Sequence, residues 1–289
     1  MTKIISAILS FIILLNAHLN AQSLLQGMED SIPPNEKVSS AFKSTRVINA
    51  HSIEMLHKGN LDFRIMHRFG EISSGIKELY GLDQASMRLS FDYGITDNIT
   101  AGFGRSTYRK ELDLFVKTRI IQQSTGQKAI PFSLVVAAGA MLWNDPYALV
   151  KPVFSDRTSY YVQLLAGRKF SSAFSFQISP IIIRSSNPSN PGEDATIFAM
   201  GAGARLKVSK RIAITADYHH PFKKFDAIIT DPLSLGVDIE TGGHVFQLQF
   251  SNAVGMNERA YITETRGDFF KGDIRFGFNL SRIFRVGKK

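Results

Sequence analysis

The chain has 289 residues, 44% of them hydrophobic and 20% charged, with a formal net charge of +9 and a mean hydropathy of −0.03. This profile excludes a bundle of membrane helices, which needs repeated apolar runs of about 20 residues, because no such run follows the N-terminus. Cysteine is absent, so no disulfide staples the fold; the basic residues are scattered and lack an aromatic–basic motif, which argues against nucleic acid as a partner.

Met1-Thr2-Lys3, the apolar stretch Ile4 to Leu15 and the small residue Ala21 read as a secretory signal peptide over residues 1–21. Residues 22–59 contain Pro33-Pro34 and then polar Arg46, Asn49, Ser52 and Glu54 interspersed with Val47, Ile48 and Ile53. Two readings of this segment stay open, a plug inside a lumen and a periplasmic extension.

From residue 60 onward, period-2 alternation dominates. In "SMRLSFDYGITDNITAGFGRS" (86–106), Met87, Leu89, Phe91, Tyr93 and Ile95 take one parity, and Arg88, Ser90, Asp92, Gly94 and Thr96 the other. The pattern restarts after Asp97-Asn98, as two strands joined by a tight turn would. The same alternation predicts about twelve strands, at roughly 60–69, 85–96, 98–109, 111–123, 131–143, 158–170, 174–185, 195–208, 211–222, 233–241, 244–254 and 272–283.

Connections after even strands are short: Asp97-Asn98, the segment around Gly126, Ser171-Ser172-Ala173, Ser209-Lys210 and Gly242-Gly243. Those after odd strands, 70–84, 144–157, 186–194, 223–232 and 255–271, are longer and rich in Pro, Asp, Asn and Gly, with the tight hairpin at Arg109-Lys110 as the exception. An even strand number with one-sided loop lengths is the pattern of an outer-membrane barrel, with short turns in the periplasm. The fold class expected is therefore all-β: a closed antiparallel up-and-down transmembrane β-barrel of about twelve strands over residues 60–284, followed by a basic tail at 285–289. A soluble sandwich would show the same alternation with its apolar face turned inward; the one-sided turns and the export signal argue against it. Phe69, Tyr93, Tyr218, Phe222 and Phe278 take the outward parity of an aromatic girdle. Gly94, Gly102, Gly104 and either Gly201/Gly203 or Ala202/Ala204 take the concave side, where small residues relieve crowding.

The polar parity carries ionisable and amide side chains. Asp238 and Glu240 face the same way as Gln247 and Gln249 on the next strand, and Arg88, Asp92, Lys117, Asp217, His219 and Arg275 are candidates to join them. Mixed signs in a narrow lumen pair into an ion network, which either seals the barrel or lines a small polar channel.

Catalytic and cofactor motifs are missing. "GFGRST" (102–107) and "GAGARL" (201–206) carry G-x-G but open no helix, so they are wall glycines. No G-x-S-x-G occurs. Adjacent His219 and His220 point to opposite faces of a strand, poor geometry for one metal ion; His67 has the outward parity but no serine partner. The expectation is a protein that is not an enzyme and has no cofactor or metal.

Four stretches resemble a family of outer-membrane β-barrel proteins of Gram-negative bacteria classed as a domain of unknown function: "FKSTRVINAHSIE" (42–54), "LDQASMRLSFDYGITDNITAGFGRS" (82–106), "DPLSLGVDIETGGHVFQLQFSN" (231–252) and "GDIRFGFNLSRIF" (272–284). The resemblance implies a barrel in the outer membrane and carries over no activity. Barrels of this kind commonly end on an aromatic residue read by the assembly machinery; here Ile283-Phe284 is followed by Arg285 to Lys289. The expected partners are outer-membrane lipid, that machinery and a small polar solute. Two functions follow: passive passage or binding of such a solute, or a structural barrel with a filled lumen and partner-binding external loops.

Overall fold

Alternating residues make each strand two-faced, and a sheet whose first and last strands pair has no edge to protect. The computed structural model describes residues 35–144, 153–187, 190–241 and 243–286; the expected signal peptide lies outside them. Twelve antiparallel strands close into a barrel. They are β1 (Asn60–Glu71), β2 (Ala85–Thr96), β3 (Ile99–Ser106), β4 (Leu112–Ile121), β5 (Ser133–Leu142), β6 (Thr158–Lys169), β7 (Phe174–Asn187), β8 (Asn190–Lys207), β9 (Ile212–Pro221), β10 (Leu233–Thr241), β11 (His244–Ser251) and β12 (Arg275–Arg285). Each pairs with the next, and β12 closes on β1 through pairs such as Leu280 with Ile65 and Phe284 with Leu61.

The two faces are the reverse of a soluble protein's. Outward-pointing Leu114, Val116 and Phe103 are 59%, 49% and 48% exposed, while inward-pointing Arg64, Arg88 and Lys117 are at most 2% exposed. Apolar outside and charged inside is what lipid, rather than a second sheet, stabilises. Tyr93, Tyr218 and Phe222 lie at strand ends on the outward face as expected. Phe278 lies deeper, the fourth residue of β12, stacked on His67 in a cluster with Phe69 and Phe246.

Several connections differ from the sequence expectation. The 186–194 connection is drawn into β7 and β8, which run on to Asn187 and Asn190 as one long hairpin. The turn between β4 and β5 is long, spanning 122–132, because Ser124–Thr125 pairs there with Glu36–Lys37 of the N-terminal segment. Gly242 and residues 145–152 and 287–289 lie outside the described residues. The tight hairpin at Arg109-Lys110 holds both residues at positive φ. Its physical reason is crowding from the connection 252–274, whose short helix α1 (Glu258–Thr263) is buried and packs against β6 and β9. A long β3–β4 loop would compete with it for the barrel mouth.

Inward glycines make room for large side chains. A Cβ on Gly104 would stand 2.2 Å from the Arg88 guanidinium, and one on Gly201 2.2 Å from Ser179 Oγ. On β8 the buried pair is Gly201/Gly203, which settles the set left open above. Gly104→Val should therefore push Arg88 away from Asp113 and cost about 3 kcal/mol or more, the range for breaking a buried ion pair. The measurement is the temperature at which the folded, fast-migrating gel band converts to the unfolded one, expected to drop.

Candidate functional site

The lumen is occupied by the protein's own chain. Residues 41–56 run inside the barrel, with Thr45 and Ser52 bonded as the neck of a tight loop (Ser52 N to Thr45 O, 2.9 Å) and Val47 to Ala50 at its tip. The neck and tip expose backbone groups, and the inward face of the wall satisfies them, as buried peptide groups require. Lys117 Nζ donates to the carbonyls of Thr45, Ser52 and Glu54 at 3.2, 3.0 and 2.6 Å. Asp217 accepts from the amides of Asn49 and Ala50 at 2.9 and 2.8 Å. Gln247 donates to Val47 O at 2.7 Å, Asn279 to Ile48 O at 3.1 Å and Gln177 to His51 O at 2.7 Å. The other side of the loop is apolar. Phe42, Val47, Ala50 and Ile53 join one cluster with inward-facing Val135, Ala137, Leu165, Ile181 and Ile197 of β5 to β8.

At the long-loop end, α1 reaches in to meet this segment. Arg46 Nη1 and Glu258 Oε1 form an ion pair at 2.9 Å, with both side chains at most 2% exposed. His51 Nε2 is 3.5 Å from the same carboxylate oxygen and 3.0 Å from Tyr161 Oη. Behind α1, Arg259 pairs with Glu111 (Nη2 to Oε2, 2.9 Å) and with Glu264, which in turn accepts from Tyr108 Oη at 2.9 Å and pairs with Arg109. Burial alone would raise the Glu264 carboxyl, but Arg259 and Arg109 outweigh it and hold it below the usual carboxylate range.

Of the ten polar residues expected in the lumen, Asp238, Gln247 and Gln249 are linked through Asn279 and Glu240 joins Asp238 through Arg205, whereas the others fall into separate groups. Arg88 pairs with Asp113 (Nε to Oδ2, 2.8 Å) and Asp92 accepts from Thr45 Oγ1 at 3.2 Å. Asp238 accepts from Gln247 at 2.6 Å, whereas Glu240 pairs with Arg205 and Lys43 at 3.0 and 2.9 Å near the short-turn end. Gln249 donates to Asn279 at 2.9 Å, and His219 lies 3.3 Å from Asp217. Arg275 pairs with Glu71, at the far end of β1. Asp92, Lys117, Asp217 and Gln247 bond directly to the inserted segment, which joins their groups. His220 faces outward to Asp231, away from His219, at 2.7 Å. His67, also outward, meets the rings of Phe69 and Phe278.

The sequence reading missed Arg259, Glu111 and Glu258 as lumen residues, because they belong to a loop and to the edge of a hairpin, where alternation gives no facing. A usable signal existed for the apolar side. "LVVAAGAML" (134–142) and "PIII" (180–183) are apolar on both parities, the mark of strands covered on both faces.

Two outcomes follow. Glu258→Met leaves Arg46 buried without its counter-charge and should destabilise by about 3–5 kcal/mol, whereas Arg46→Met combined with Glu258→Met should recover much of that; thermal band-shift midpoints of wild type, the two single variants and the double variant measure it. A carboxyl depressed in the folded state contributes stability that is complete above its unfolded value, 4.5 for Glu264, and is lost as pH falls through the folded value. Amide exchange in 252–267 should therefore accelerate, after correction for intrinsic rates, as pH drops below about 5. In Glu264→Gln this acceleration should vanish.

Comparison with known proteins adds the family. Solved structures similar to this one include the NanC porin (TM-score 0.48, 10% identity, covering 77% of this chain and 98% of that one) and the KdgM porin (0.45, 8%, 78% and 99%). Another is the outer membrane protein Omp33 of Acinetobacter baumannii (0.41, 10%, 78% and 99%). No curated protein matches the chain in sequence. Residues 42–284 match the model described as a membrane bound beta barrel domain. That span takes in the inserted segment from Phe42 and all twelve strands up to Phe284, so the chain belongs to the membrane-bound β-barrel family DUF5777.

Proposed function

We propose that this protein is a non-enzymatic outer-membrane barrel held closed by its own N-terminal segment, passing small polar or ionic solutes only when residues 41–56 leave the lumen. The observation that carries the reading is the anchoring of that segment from opposite sides of the wall, by Lys117 of β4, Gln177 of β7, Asp217 of β9 and Gln247 of β11. On this reading the short-turn end faces the periplasm, since the segment reaches the lumen past the 122–132 turn and leaves it beside Asp97, which accepts from Lys58 N at 3.0 Å. The outward apolar band contacts lipid, and Phe284 near the end of β12 is the aromatic offered to the assembly machinery.

The absence of a catalytic role is supported by the surroundings of the histidines: His67 is packed by aromatic rings, and His51 is sealed between Tyr161 and Glu258. A purely structural barrel is the competing reading, and the same experiment separates the two. In planar lipid bilayers the wild-type protein should give no steady current. Lys117→Met strands two carbonyls, those of Ser52 and Glu54, each worth about 1–3 kcal/mol, while Thr45 O keeps its bond from Ser52 N, and Asp217→Asn weakens the grip on the tip. Both variants should show discrete openings, with ion selectivity altered by adding Glu240→Ala. A steady wild-type current refutes closure, and silence of both correctly folded variants favours the structural barrel.

A further inference from the structure

The short-turn end of the barrel is charged unevenly. Between Thr158 and Ala216 the acidic residues are Glu193 and Asp194, both in the β7–β8 hairpin at the opposite end. At the short-turn end the same four strands and their turns carry Arg168, Lys169, Lys207, Lys210 and Arg211. None of the five meets a carboxylate among the described residues; Lys169 donates to Ser39 O at 3.0 Å. In the flanking connections, Glu36 lies on the N-terminal segment beside Thr125, while Glu240 and Asp238 face the lumen, engaged by Arg205, Lys43 and Gln247.

Two turns of the same construction hold this charge. Ser171 Oγ accepts from Ala173 N and Phe174 N at 3.2 and 3.0 Å, and Ser209 Oγ accepts from Arg211 N and Ile212 N at 3.3 and 3.1 Å. Phe174 O and Ile212 O accept from Phe170 N and Val208 N, each at 2.9 Å. Lys207 N donates to Ala173 O at 2.7 Å and ties one turn to the other. Lys210 and Arg211 therefore project from a pinned backbone, so less ordering entropy is lost when they meet a ligand.

The outward face next to these turns is apolar: Phe170, Phe174, Leu206, Val208 and Ile212 are all exposed. Arg168 projects from that face two residues deeper in the apolar band than Phe170, and its guanidinium carbon lies 5.2 Å from the centroid of that ring. A charge placed there is costly unless its long stem carries it to an anion at the head-group level. The anion found at that depth, with hydrocarbon attached, is a lipid phosphodiester. An acidic soluble protein would meet the cations but not the apolar strip, which lies in the hydrocarbon band. We infer that the short-turn rim of β6 to β9 binds an anionic glycerophospholipid, its phosphate among Arg168, Lys210 and Arg211 and an acyl chain along Phe174 and Leu206. The inference rests on the outward band meeting lipid and is independent of whether the lumen is closed.

β12 offers the comparison. Arg282 lies 4.8 Å over the Phe284 ring in the same way, but the adjoining 241–244 turn carries no Lys or Arg. The test titrates the full-length protein in detergent with phosphatidylglycerol or phosphatidylethanolamine and reads the lipid-bound fraction by native mass spectrometry. Phosphatidylglycerol should bind along a saturating curve, about tenfold or more tighter than phosphatidylethanolamine, and excess glycerol 3-phosphate should not displace it. Arg168→Gln and Lys210→Gln should each weaken binding about fivefold, and Arg282→Gln should leave it unchanged. Equal binding of the two lipids, or displacement by glycerol 3-phosphate, would overturn the assignment. So would an equal loss in Arg282→Gln and Arg168→Gln, which marks a diffuse basic girdle. Bilayer current bears on closure alone, so the two readings fail separately.

Discussion

A charge taken out of water must meet an opposite charge or a set of hydrogen bonds, and this barrel places much of its charge indoors. Arg64, Arg68, Arg88 and Lys117 project from the wall into a lumen from which bulk water is largely excluded. The wall alone cannot satisfy them. Lys117 finds its partners in three peptide carbonyls of residues 45 to 54, and Arg68 finds one in the Asn49 side chain. The inserted loop is thus part of the barrel's interior, supplying acceptors as a core supplies contacts.

The dependence is mutual. A tip as short as Val47 to Ala50 cannot pair all its amides and carbonyls internally, and an unpaired buried peptide group is expensive. Asp217, Gln247 and Asn279 serve those groups from one side, while the apolar inward faces of β5 to β8 cover Val47 and Ile53 from the other. The result is a lumen with a polar half and an apolar half, matched to a segment with the same division.

Closure comes from both ends. α1, carried on a loop at one mouth, meets the N-terminal segment entering from the other, and the Arg46–Glu258 pair is where they touch. Because that pair is buried, its worth is conditional: it stabilises only while both partners are present. The same connection that carries α1 reaches the β3–β4 hairpin at the long-loop end, where Tyr108 and Arg109 meet Glu264.

Except in β8, which is small on both parities at 201–204, the facing of the strands was legible in the sequence, together with strand number, the apolar exterior and the charged interior, because a period of two is a local property that survives any arrangement of the strands. So was the opposition of His219 and His220, and so was the family, through wording such as "GVDIETGGHVFQLQF". What only the tertiary structure decided is which charges meet. Asp92 and Lys117 show no relation to Thr45 in the sequence, and Arg46 lies 212 positions from Glu258. Those meetings depend on a segment without periodicity being threaded through a closed cylinder, and no local pattern encodes where a loop goes once it leaves the sheet.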